Sequence, residues 1–180
     1  MSAAPQETLS LFSPLYWMFL TALIFGRGMD FLSTWLATPQ LVLEGNPIAR
    51  WLGWKWGILV NLMVSVGFAC LPLPAVIITT TSLLVAARNF QSAWMMRAVG
   101  EEAYRDWYIT RLMDCPPAIF LASLAGQTVL VAIVGGVLVL FSRWELIPMG
   151  VGVGMLAYAF AVLVYSLLAY VRTRRALRSH

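Results

Sequence analysis

Arg27 and Asp30 interrupt an apolar run from Leu15 to Leu36, and Asn61, Arg88 and Gln127 interrupt later ones. A charged or amide side chain within an apolar helix is costly in a bilayer, so each calls for a partner or a task. Arg27 and Asp30 are three apart, hence neighbours on one helix face. Thr34 and Thr38 continue the same stripe, and Gly26 and Gly28 beside it would admit another helix closely. The chemistry available is ionic. Asp30 can neutralise Arg27 while Asn61, Arg88 and Gln127 hydrogen-bond a bundle together. Alternatively the five groups line a polar pocket open to the cytoplasm. Two arginines against one aspartate leave a positive residue, which suits an anion such as a lipid phosphate, because guanidinium grips phosphate with two donors.

At 1.5 Å rise per residue, Asp30 lies roughly 9 Å, Asn61 roughly 11 Å, Arg88 roughly 13 Å and Gln127 roughly 15 Å from the inner ends of their helices. Tyr165 stands at a similar level. A second signal is Glu44-Gly45-Asn46-Pro47. Asn46 can cap a helix whose first turn holds Pro47. Glu44 is free of that role, and can reach the Arg27/Asp30 layer or pair with Arg50.

The elements that position these residues follow from composition. The 180-residue chain is 61% hydrophobic and only 11% charged, and its mean hydropathy is +0.80. A soluble domain is nearer half apolar and a quarter charged. This excludes a typical soluble enzyme, a disordered chain and a free nucleic-acid binder. About 20 apolar residues cross a bilayer. The reading is an all-α, polytopic transmembrane bundle forming one membrane domain over residues 1–180. Its spans fall at about 15–36, 53–71, 75–97, 117–141 and 149–171. Leu71-Pro-Leu-Pro74 is expected to be a hairpin between spans two and three. The alternative is four spans, one of them a long proline-kinked helix. Residues 98–116 mix six charges with Trp107 and Tyr108, and suit an amphipathic segment at the interface. Residues 172–180 are a basic tail.

Lys and Arg gather on the cytoplasmic side of membrane proteins. With five spans and the tail inside, Arg50, Lys55, Arg97, Arg105, Arg111 and four tail arginines are inside, and only Arg143 is outside. The expected topology in the plasma (inner) membrane is therefore N-terminus outside and C-terminus cytoplasmic. The stretch 1–14 carries no Lys or Arg and so lacks the basic region of a signal peptide. Cys70 and Cys115 fall at opposite faces, against a disulfide. Gly150 and Gly154 form a Gly-x-x-x-Gly pattern that serves close helix packing or, more sharply, a homo- or hetero-oligomer contact.

The only histidine is His180. No metal-ligand spacing, nucleophile elbow or phosphate-binding loop occurs, so no catalytic residue, metal or cofactor is implied. Asp30-Phe-Leu-Ser-Thr34 followed by Glu44-Gly-Asn-Pro47 resembles small bacterial and archaeal membrane proteins grouped as domain of unknown function 5658. The resemblance covers about residues 20–95. Those proteins often carry a lysine on the next helix, where this chain has Asn61. The resemblance implies the membrane class and the choice of residues, and no activity. The expected function is a non-enzymatic accessory, scaffold or small-ligand-binding bundle, with membrane lipid as a partner and no nucleic acid. A small transporter or channel subunit is the second reading. A lipid- or phosphate-handling enzyme, with Asp30 or Glu44 as base, is the third.

Overall fold

The computed structural model describes residues 8–44 and 47–178. The described residues form an all-α bundle of six helices: α1 (Pro14–Ala37), α2 (Pro47–Phe68), α3 (Pro72–Val99), α4 (Glu101–Asp114), α5 (Pro117–Phe141) and α6 (Leu146–Arg178). Proline opens the first turn of α1, α3 and α5. There its missing N–H costs nothing and its fixed φ suits the helix. The same rule corrects the expected hairpin. Pro72 and Pro74 lie inside the first turn of α3, and the reversal is completed at 69–71. The Ser13 hydroxyl accepts the Tyr16 N–H at 3.2 Å and caps α1.

Direction is set by matching residues along each contact. Gly26 meets Thr79, Arg27 meets Ser82, Thr34 meets Asn89, and Trp35 meets Arg97. Both numbers rise together, so α1 and α3 run parallel. Val76 meets Gly150 and Thr80 meets Gly154, so α6 is parallel to α3 as well. Gly135 meets Gly152 and Phe120 stacks on Tyr170, so α5 runs antiparallel to α6. The chain must return between α1 and α3, and α2 makes that return. It starts near the end of α1, while at its far end the Cys70 carbonyl accepts the Leu9 N–H at 2.9 Å.

Glycines set how closely these helices approach. A Cβ on Gly150 would lie 2.7 Å from Val76 Cγ1, and one on Gly154 2.8 Å from Thr80 Cβ. Between them, a Cβ on Gly152 would lie 2.6 Å from the Gly135 carbonyl oxygen. The run Gly150-Val-Gly-Val-Gly154 therefore presents glycine to α3 on one face and to α5 on another. The Gly-x-x-x-Gly pattern thus serves close packing within the chain, the first of its two expected uses. Gly26 likewise touches Thr79, whereas Gly28 faces open space.

Among the described residues four helices, α1, α3, α5 and most of α6, are long and apolar enough to cross a membrane. The expected second span begins earlier than predicted, at Pro47, and is broken at Gly53, whose φ is 62°. The regular stretch 54–68 rises about 22 Å, less than a full hydrocarbon core. The segment 98–116 contains a true helix, α4, which buries Tyr104 and Leu112. Most of the basic tail continues α6 rather than hanging free.

A candidate ligand cavity in the polar layer

The bundle is dry at one end. Tyr16, Phe19, Leu23, Ala69 and Ala75 pack there into a buried cluster. At the other end, where α1, α3 and α6 finish, a cavity of about 620 Å³ opens between α1, α2, α3 and α6. The loop 38–44 and α4 contribute to its rim through Leu41, Leu43 and Tyr108. α2 has little packing of its own beyond α1 and α3, so the side facing α6 is not closed by helix–helix contact.

Of the residues expected in one polar layer, Arg27, Asp30, Thr34, Glu44, Asn61 and Arg88 all line this cavity. Tyr165 lines it too. Asn46 lies outside the described residues. Gln127 is the exception. It is exposed on α5, away from the cavity, because depth along a helix says nothing about rotation around it.

Within the layer the groups divide into two sets. The first is a closed network. One Arg27 guanidinium nitrogen donates to Asp30 Oδ2 and to Ser82 Oγ, both at 3.1 Å, and the other donates to Asn61 Oδ1. Asn61 in turn donates to the Gly57 carbonyl at 2.8 Å. A single arginine thus ties α1 to α3 and to the otherwise loosely held α2. One turn further along α1, Asn89 donates to Ser33 Oγ at 3.3 Å and Thr34 Oγ1 at 3.2 Å. Ser33 Oγ donates to the Asp30 carbonyl at 2.9 Å. These charges and amides are largely matched, as low-dielectric surroundings require.

The second set is unmatched. Arg88 is exposed into the cavity and has no hydrogen-bond or ion-pair partner among the described residues. On the α6 wall the buried Tyr170 hydroxyl is also without a partner among the described residues. Its ring stacks on Phe120 at 4.7 Å and carries the Arg174 guanidinium 4.9 Å from its centroid. Phe31, Trp54, Tyr158, Val162 and Tyr165 form much of the remaining wall, and Glu44 and Ser166 also line it. The cavity joins Arg88, unpartnered among the described residues, to a broad apolar surface, the complement of an anionic amphiphile. Among the described residues no three His, Cys, Asp or Glu side chains gather to hold a metal ion.

The rim is held by a contact that sequence reasoning missed. Glu101, the first residue of α4, accepts hydrogen bonds from the Thr38 hydroxyl, from Gln40 N–H at 2.9 Å and from Val42 N–H at 3.2 Å. Trp54 Nε1 donates to the Pro39 carbonyl at 2.8 Å. One carboxylate and one indole therefore fix the loop between α1 and α2. No local pattern announces a bond spanning some sixty residues. The one available hint was that Thr38 completes the Arg27 stripe.

No family model, curated protein or solved structure matches the chain.

Proposed function

We propose that this is a non-enzymatic, multi-pass protein of the plasma membrane that binds a phosphate-bearing lipid in the cavity beside Arg88. The single observation that carries the reading is Arg88 itself, a cation within a long apolar helix, lining a cavity and without a hydrogen-bond or ion-pair partner among the described residues. An arginine left so is expensive unless something anionic comes to it. Guanidinium holds a phosphate through two parallel donors, and the aromatic wall accepts the apolar part of the molecule. Arg27 does not compete for the ligand, since its donors are engaged by Asp30, Ser82 and Asn61. Non-covalent binding fits better than turnover, because Ser33 and Ser82 are engaged with neighbours rather than with a base.

The orientation we propose has five crossings, with the cavity in the cytoplasmic half. Support comes from the parallel run of α1, α3 and α6, which requires α2 and α5 to return. It also comes from the basic residues at the cavity end.

Native mass spectrometry of the purified protein with added phospholipid tests the ligand. Wild type retains a phospholipid. Arg88→Ala loses it by about tenfold or more, and Arg88→Lys keeps part of it, since lysine offers charge without the fork. Equal retention by Arg88→Ala overturns the reading.

A further inference from the structure

The polar residue that does not join the cavity has a use of its own. α5 stands at the edge of the bundle, where α6 is its main support. Leu124, Thr128 and Gly135 face inward along it. Thr128 is satisfied locally, its hydroxyl donating to the Leu124 carbonyl at 2.9 Å. Gln127 is not. Its amide is exposed and has no hydrogen-bond partner among the described residues. It lies about 15 Å from the Pro117 end of a helix that spans the hydrocarbon core, hence near the middle of the membrane. Water cannot serve it there, and lipid tails offer neither donor nor acceptor.

Gln127 sits in a regular seam. Ser123, Gln127, Leu130, Val134, Val137 and Phe141 are spaced alternately by four and three residues, and all six are exposed. Leu130 is 67% and Phe141 78% exposed. That spacing keeps one stripe facing a neighbouring helix in a left-handed crossing, the commonest arrangement in membrane bundles. Small Ser123 at one end lets the backbones approach, and a lone polar residue in such a seam fixes register.

We infer that α5 is the interface of a parallel homodimer, joined by Gln127 of each copy. The partner is committed by symmetry. Two copies inserted with the same topology are related by a two-fold axis along the membrane normal, which brings residues of equal depth face to face. A primary amide carries both donor and acceptor, so Gln127 is complementary to itself. The glycine pattern that would otherwise suggest an oligomer contact is already used against α3 and α5. This inference is independent of the ligand at Arg88.

The test uses the full chain in native membranes, with Cys70→Ser and Cys115→Ser removing the native thiols. Single cysteines are introduced on the seam, at Leu130→Cys and Val137→Cys, and off it, at Val129→Cys and Leu140→Cys. Oxidation gives covalent dimers for the seam pair and little for the other two. In proteoliposomes, dimerisation read by energy transfer on dilution with lipid weakens about tenfold in Gln127→Leu and recovers in part in Gln127→Asn. Cross-linking confined to positions 129 and 140, an unaltered dimer in Gln127→Leu, or a monomer at every protein-to-lipid ratio each overturns the inference. Gln127 has no hydrogen bond to lose among the described residues of the monomer. Should Gln127→Leu nevertheless fold poorly, the cross-linking map decides alone.

Discussion

Arg27 and Arg88 are the same residue type at similar depth, and their surroundings give them opposite roles. Arg27 has three partners on three helices. Removing it leaves Asp30, Asn61 and Ser82 each short of a partner in a medium that offers none. Arg27→Ala should therefore lower stability by about 3 kcal/mol, the scale for breaking a buried ion pair by deleting one side. Arg27→Met combined with Asp30→Leu should lose much less, because no charge is then stranded. Thermal unfolding in detergent measures both, and equal losses in the two variants would show that the stranded Asp30 charge is not the source of the loss. Arg88→Ala, by contrast, removes no hydrogen bond or ion pair among the described residues. Its melting temperature without lipid should stay at the wild-type value, while the rise produced by added phospholipid should shrink. Two arginines that a sequence cannot tell apart are separated by that one comparison.

At the scale of elements, the joints are side chains of very small or very long reach. Gly150 and Gly154 hold α6 against α3 with no room for a methyl group. Gly154→Ala would place its Cβ against Thr80 and the Ile77 carbonyl, and should cost about 1–3 kcal/mol by overpacking. Gly28→Ala, with open space before it, should be neutral or slightly stabilising. Denaturation in mixed micelles reads both. Glu101 is the long-reach counterpart. Glu101→Ala strands the Gln40 and Val42 N–H groups and the Thr38 hydroxyl, and should speed hydrogen exchange across 38–44 by tenfold or more, since bonds to a charged acceptor are worth about 1.5–3 kcal/mol. Unchanged protection of that loop would mean that Trp54 and its bond to Pro39 suffice. These joints also mark what was legible beforehand. Apolar run lengths located the helices, and the cost of charge in lipid picked out Arg27, Asp30, Asn61 and Arg88. A common depth then placed them in one layer. Rotation about the helix axis was not legible, because in lipid both faces of a span are apolar. That is why Gln127 was placed in the layer, and why Gly150 and Gly154 could be assigned either to packing within the chain or to a contact with a partner. The Glu101 latch was invisible for a different reason: two of its three partners are backbone N–H groups, which every loop possesses.

At the scale of the whole molecule, orientation decides which compartment the cavity faces. Three observations bear on it together. α1, α3 and α6 are parallel, so their C-terminal ends share one side with α4 and the basic end of α6. The cavity occupies that same end, and the dry cluster around Tyr16 and Leu23 closes the opposite one. Among the described residues Arg143 is the only basic one near the closed end, against nine on the loops and helix ends around the open one. α2 is the weak step, because its regular stretch after Gly53 is short for a full crossing. If α2 nevertheless completes the return, the turn at 69–71 and the loop holding Arg143 face away from the cytoplasm, while Gly100 and the end of α6 face it. Single cysteines placed at Leu71 and Trp144, in a chain lacking its native thiols, should then react with a membrane-impermeant maleimide added outside intact cells. One at Gly100 should react only after the membrane is opened. Labelling at position 100 and not at 71 in intact cells would invert the topology. It would also turn the Arg88 cavity toward the outer leaflet, changing which lipids can reach it.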